Sequence, residues 1–293
     1  MANPKLRQTL QSGGNVVAPG VYDAITARLM RHLGYEFLYV PGSQTGTVLG
    51  TTEPLTTVTQ MADVGRTVVR GCRGDLPVLL DAGTGFGDPV HVMSSIEALE
   101  NAGLSAVHIE DQTYPKRASY HKGLEHVVPI DEYQLRLEYA LKARRSSDFL
   151  IIGRNDGFRA APDPWLPNGG GREEAVKRAH AAIEVGVDII LVIGVREKED
   201  FQYFRSQIKD IPMMALLNPT MNLKDFEDVG HQIVVTPTTT IISSLSAIHD
   251  TYENVMKTGH TLPIPGADEM REITNNLLDM DEKWAVEAAT TES

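Results

Sequence analysis

The feature that most constrains this chain is a repeated unit. A helical stretch ends in glycine, a short link follows, and a β-branched, apolar run comes next. Residues 27–33 end at Gly34 and lead into 37–40. Residues 96–102 end at Gly103 and lead into 106–109. Residues 179–185 end at Gly186 and lead into 187–192, and residues 226–229 end at Gly230 and lead into 233–235. Glycine after a helix suits the left-handed position that closes it. Near-continuous apolar strands indicate burial on both faces, as in a parallel sheet. Four further strand candidates, 15–18, 77–81, 149–154 and 212–217, bring the number to eight. Such alternation predicts a (β/α)8 barrel. A doubly wound open sheet is the alternative, but no Gly-x-Gly-x-x-Gly follows the first strand.

The length of 293 residues, 42% of them hydrophobic, suits one large core. The expected organisation is a barrel domain over 1–260 and a helical extension over 261–293 that packs on the barrel or on a partner subunit. A formal charge of −12 argues against a nucleic-acid partner and leaves small anionic substrates open. The single cysteine, Cys72, excludes an intramolecular disulfide and a Cys-rich metal site. No apolar run approaches the roughly 20 residues of a membrane span. The N-terminus lacks a signal-peptide core, so a cytoplasmic protein without a membrane partner is expected.

In a barrel the active site lies at the C-terminal strand ends. The sequence puts its chemistry there: Tyr39 to Ser43, Asp81, Glu110 with Asp111, Arg154 to Asp156, and Asn218. An acid ending a buried strand is costly unless paired or metal-bound. Asp81 reads as a Mg²⁺ ligand, with an Asx-turn or helix cap as the alternative. Glu110 and Asp111 point to opposite faces, so one of them faces the site. Glu53 is a third candidate acid, with a surface residue as the alternative. Arg154 reads either as a carboxylate clamp or as a buried ion pair with Glu110 or Asp156. Gly42 and Ser43 could present backbone N–H groups to an anion. His91, His180, His249 and His260 read as surface or core histidines. Two loops, 112–129 and 158–172, have the length of lids or binding loops.

Several strings together resemble the isocitrate lyase / phosphoenolpyruvate mutase superfamily. They are Tyr39-Val40-Pro41-Gly42-Ser43, Leu80-Asp81-Ala82-Gly83-Thr84-Gly85-Phe86-Gly87, His108-Ile109-Glu110-Asp111-Gln112, Pro115-Lys116-Arg117 and Gly153-Arg154-Asn155-Asp156. The resemblance implies a barrel whose last helix is exchanged between subunits of a homodimer or homotetramer. It implies Mg²⁺, with Mn²⁺ as a substitute, bound with a small 2-oxo or 2-hydroxy acid. By position, Asp81 matches the direct metal ligand, and Glu110 and Glu53 match acids that hold metal-bound water. Arg154 matches the carboxylate clamp, Gly42 and Ser43 the anion-binding backbone, and Tyr39 a tyrosine near the reacting oxygen. Residues 115–123 match the mobile gate, and Asn218 is a further substrate-binding candidate.

Two departures stand out. The lyase gate carries a cysteine where this chain has Ala118, and the family's Asp-x-Asp is Asp81-Ala82-Gly83. The gate frame Ser119-x-His121-x-Gly123 resembles the phosphonate branch. The expected function is a Mg-dependent lyase that breaks a C–C bond of a small 2-hydroxy or 2-oxo dicarboxylic acid through an enolate. Lys116, Tyr120, His121 or solvent would supply the proton. Alternatives are a C–P mutase or hydrolase acting on a phosphonopyruvate-like acid, and a non-catalytic descendant that binds a 2-oxo acid.

Overall fold

All eight apolar runs form strands. The structure, a computed structural model, describes residues 2–291 apart from 119, 262 and 265. Ser119 of the gate frame therefore lies outside the described residues. The strands are β1 (Val16–Pro19), β2 (Leu38–Val40), β3 (Val78–Asp81), β4 (Ala106–Glu110), β5 (Leu150–Asn155), β6 (Ile189–Val192), β7 (Met213–Leu216) and β8 (Ile233–Thr236). Each runs parallel to its neighbours in the order β1-β8-β7-β6-β5-β4-β3-β2. The remaining seam, β1 to β2, is joined by a parallel bridge between Gly20 and Tyr39. The result is the expected (β/α)8 barrel.

The helices are α1 (Lys5–Gln11), α2 (Ala24–His32), α3 (Gly42–Val48), α4 (Val58–Gly71), α5 (Pro89–Asn101), α6 (Ile130–Ala143), α7 (Arg172–Val185), α8 (Lys198–Gln207), α9 (Leu223–Val229), α10 (Thr239–Thr258), α11 (Ala267–Leu277) and α12 (Met280–Thr290). Local sequence sets their ends. Asp23 starts α2 and Thr57 starts α4, each through a reciprocal capping box. Gly186 and Gly230 close α7 and α9 at φ +95° and +87°, a conformation that glycine adopts without a Cβ penalty. Cys72 lies just past the end of α4, buried.

Alternation along the strands separates two cores. Val16, Ala18, Leu79, Ala106, Leu150, Ile152, Ile189, Leu191, Met214, Ile233 and Val235 fill the barrel interior, and Leu6 of α1 joins them. Their strand neighbours, including Leu38, Leu80, Val107, Ile109, Ile151 and Ile190, pack outward against the helices. The interior is therefore solid over most of its depth, and Asp81, His108, Glu110 and Arg154 gather at its C-terminal mouth.

The two long loops are fastened to each other. Ala161 N–H donates to Glu125 O at 2.9 Å, Trp165 Nε1 donates to Val127 O at 2.8 Å, and Arg159 pairs with Glu125 at 2.8 Å. Helix α10 is different from the other long helices. It buries only Ile241 and leaves Ile242, Leu245, Ile248, Tyr252 and Met256 exposed. Among the described residues, no helix is long and apolar enough to cross a membrane.

Candidate active site

The same alternation that fills the barrel interior carries a set of polar side chains to its mouth. Asp81 follows Leu79 on the inward face of β3. His108 and Glu110 follow Ala106 on β4, and Arg154 follows Leu150 and Ile152 on β5. Register aligns Asp81 with His108 and Glu110 with Arg154. Tyr39, the middle residue of β2, lies on the same face. Asp111, one residue past Glu110, turns outward.

The charges interlock. Arg154 Nε and Nη2 donate to Asp156 Oδ2 and Oδ1 at 3.0 and 3.1 Å. Its Nη1 lies 2.9 Å from Glu110 Oε2 and 3.5 Å from Asp81 Oδ2. Lys116, from the loop after β4, donates to Glu110 Oε2 at 3.0 Å and to Glu53 Oε1. Asp81 Oδ1 accepts the Gly83 N–H at 2.8 Å, which is the Asx-turn geometry. Tyr39 Oη lies 2.8 Å from His108 Nε2, and His108 Nδ1 lies 3.5 Å from Asp81 Oδ1.

Burial and charge act together on these groups. Burial alone would raise the Asp81 carboxyl, but His108, Lys116 and Arg154 hold it well below the usual range. Burial pushes Glu110 up, against Arg154 and Lys116. Burial brings His108 down to about 4, so its ring is neutral. A proton on Nδ1, facing Asp81, leaves Nε2 to accept from the Tyr39 phenol. Burial, then Asp81, holds the Tyr39 hydroxyl in its protonated form. Lys116 is raised despite burial, because Asp81, Glu110 and Glu53 surround it.

The remaining candidates lie around this cluster. Gly42 and Ser43 begin α3, so their backbone N–H groups lie in the first turn of a helix. Gly42 is required by a close approach: a Cβ there would meet Glu53 Cδ at 2.6 Å. Glu53 is thereby pressed into the site, its side chain 12% exposed, and is not the surface residue of the alternative reading. Tyr120 Oη accepts the Glu53 N–H at 3.2 Å. Asn218 Oδ1 accepts from Thr220 N–H at 3.0 Å. Tyr39, Ser43, Lys116, Tyr120, Arg154 and Asn218 all line one cavity of about 720 Å³ at the mouth. His121 stacks edge-on against Tyr120 and is absent from that lining. Arg154 is brought to the cavity with its guanidinium already engaged by Asp156 and Glu110, the buried ion pair of its alternative reading.

Sequence reasoning passed over His108. The signal was present: His108 and Glu110 are two residues apart on one strand and must share a face. It also passed over Arg196, on the loop after β6. This residue lines the cavity and makes no ion pair among the described residues.

The described residues do not fit the Mg²⁺ expected of Asp81, Glu110 and Glu53. The ion prefers an octahedral shell of carboxylate and water oxygens. Here the three carboxylates already converge on the Lys116 ammonium, and position 83 supplies no fourth. Among the described residues, no group of three or more His, Cys, Asp or Glu side chains is arranged to hold a metal.

Comparison with known proteins agrees with this architecture. The phosphoenolpyruvate phosphomutase family model matches residues 6–256. The 2-methylisocitrate lyase of Aeropyrum pernix is 33% identical over 260 residues, covering 87% of this chain and 80% of that one. The oxaloacetate decarboxylase of Paraburkholderia xenovorans is 31% identical over 274 residues, covering 89% and 85%. The crystal structure of a phosphonopyruvate hydrolase complex with oxalate and Mg²⁺ superposes with a TM-score of 0.83 at 24% identity, covering 99% of each chain. The chain belongs to the phosphoenolpyruvate phosphomutase family, within the isocitrate lyase/PEP mutase superfamily of lyases and phosphonate enzymes.

Proposed function

We propose that the protein is a lyase that breaks a C–C bond of a small 2-oxo or 2-hydroxy dicarboxylic acid through an enolate. The observation that carries this reading is the meeting, on one cavity wall, of two cations with a buried proton pair. Lys116 and Arg154 provide the positive charge, and Tyr39 with His108 provides the proton. Positive groups fixed in a partly dry site favour an oxyanion as it forms, because they need no reorganisation. Arg196, which has no carboxylate partner among the described residues, adds a guanidinium at the same cavity, which suits a second acid group on the substrate.

For a 2-oxo acid with a carboxyl group on C3, the bond from C3 to that carboxyl breaks. CO₂ leaves, and the electron pair moves into the enolate of C2 and its oxygen. The Tyr39 phenol, held by His108, returns a proton to C3. For a 2-hydroxy acid, the Tyr39 phenol takes the substrate hydroxyl proton as it passes its own to His108 Nε2, the C2–C3 bond breaks to leave a carbonyl at C2, and the departing enolate is protonated at carbon by Lys116 or solvent. The gate cysteine of the lyases is Ala118 here, so the proton must come from the cavity wall or from solvent. The Mg²⁺ of the family has no part in these steps.

Release of pyruvate or glyoxylate from oxaloacetate, 2-methylisocitrate and 2,3-dimethylmalate, followed by coupled dehydrogenase assay, tests the proposal. Turnover of at least one acid is expected, and Tyr39→Phe should lower it by about 10²-fold. Failure of all three with folded protein removes the lyase reading.

Assembly forms part of the proposal. The apolar stripe of α10 is too long to be left in water by a stable monomer. A second copy covering it, by exchange of this helix, is the arrangement implied by the resemblance. Light scattering is expected to give a dimer or tetramer, and a monomer at micromolar concentration contradicts it.

A further inference from the structure

The Lys116 ammonium occupies the point on which three acids converge. It lies 3.0 Å from Glu110 Oε1 and 3.0 Å from Oε2, touches Glu53 Oε1, and is 4.0 Å from Asp81 Oδ1. These are the three acids that the family resemblance assigns to a divalent ion and its waters. Lys116 is only 6% exposed, so it is seated in the cluster and not resting on its rim.

A second observation concerns the other side of the same lysine. Gly83 stands at φ +52°, and a Cβ built on it would lie 3.4 Å from Lys116 Cδ and 3.9 Å from Nζ. A carboxylate at position 83, where the family has the second Asp of Asp-x-Asp, would project into the space that Lys116 fills. The site has therefore lost a negative charge, and the ammonium of the shared Pro115-Lys116-Arg117 string fills the space into which that acid would project.

We propose that Lys116 is a tethered cation that replaces the divalent ion, holding Asp81, Glu110 and Glu53 in place and presenting its charge to the C1 carboxylate and C2 oxygen of the substrate. The proposal deepens the lyase reading of this cavity and rests on it. An ammonium has three donors. Hydrogen bonds to Glu53 and Glu110 use two of them, and the third is left for a substrate oxygen. A divalent ion in the same cage would sit beside the ammonium at a separation where like charges repel strongly. The protein is therefore expected to work without a bound metal.

Titration of the EDTA-dialysed full chain with MnCl₂, followed by calorimetry and by loss of the free Mn²⁺ paramagnetic signal, reads the site without any substrate. Wild-type protein is expected to take up no Mn²⁺ below about 1 mM. Lys116→Met, which removes the ammonium and keeps an unbranched side chain, is expected to bind at least ~10-fold tighter. Restoring the acid with Gly83→Asp in that background should tighten binding again. Micromolar Mn²⁺ binding by wild-type protein overturns the proposal, and this result depends on no variant folding. For any acid that the protein turns over, the rate should stay within about two-fold after exhaustive chelation. A rate abolished by EDTA and restored by Mg²⁺ also overturns it. Failure of the lyase reading appears only in turnover, whereas failure of the Lys116 assignment appears in the titration.

Discussion

Glu110 and Asp111 are neighbours in sequence and equally buried, each 0% exposed, yet they serve opposite sides of the barrel wall. Glu110 faces inward to Lys116 and Arg154, two cations that line the cavity. Asp111 faces outward, where both of its oxygens are occupied. Its Oδ1 accepts the Asp156 N–H at 2.8 Å, and its Oδ2 lies 3.1 Å from Arg178 Nη1. Arg178 is in turn held by Glu174 and by the Val128 carbonyl at 2.9 Å. The pairs have the same chemistry and the same burial. Only the inner acid is paired with cations that themselves line the cavity. A buried acid becomes a candidate for chemistry when its partners border the space a substrate enters, and not through burial or pairing alone.

The comparison can be broken by exchanging the two effects. Asp111→Ala leaves Arg178 without its buried carboxylate partner in a dry setting, and urea unfolding should show a loss of about 3–5 kcal/mol. Turnover per folded molecule should change little. Glu110→Gln keeps the shape and removes the charge. It should lower turnover by about 10²-fold, equivalent to roughly 2.7 kcal/mol, while stability stays within about 1.5 kcal/mol. If Asp111→Ala abolishes turnover in folded protein, or Glu110→Gln unfolds the chain, the division between scaffold and site is wrong.

Two buried imidazoles extend the contrast. Burial lowers both His108 and His231 to about 4 from 6.5. Both are neutral in the fold, so the unfolded chain binds the extra protons between those values. Stability is therefore full above about pH 6.5 and falls as pH drops towards about 4, by up to roughly 3 kcal/mol for each group. His231 packs edge-on against Phe201 at 5.1 Å, away from the cavity. His231→Gln should flatten its share of this acid limb in melts from pH 7.5 to 4.5 and leave turnover alone. An unchanged limb contradicts the assignment.

The smallest expected effect belongs to Gly83→Ala. Its Cβ would meet Lys116 Cδ at 3.4 Å from a left-handed backbone position. A cost near 1 kcal/mol is expected, with a few-fold loss of turnover as the lysine shifts. A neutral result would mean that Lys116 is free to move.

The strands were legible in the sequence because apolar runs buried on both faces leave a continuous signal. The placement of Glu110 inward and Asp111 outward follows from strand alternation and was also legible. The seating of Lys116 was not, because it depends on how a loop side chain folds back across the mouth, and periodicity does not record that. Arg178 reaches Asp111 from 67 residues away, which no local pattern encodes. Helix α3 was hidden by its glycines, which read as turn residues. The structure gives their reason: at Gly46 a Cβ would lie 2.6 Å from the Glu53 backbone nitrogen, so the small residues admit the segment that carries the third acid.

On the proposed reading, this cavity breaks a C–C bond of a small dicarboxylic acid. The most direct test is a ¹³C NMR time course of the purified protein with uniformly labelled C4 to C7 2-oxo and 2-hydroxy diacids, alongside phosphonopyruvate. The predicted result is loss of one carbon–carbon coupling in at least one diacid, with phosphonopyruvate unchanged. Intact diacids, or consumption of the phosphonate alone, would contradict the account.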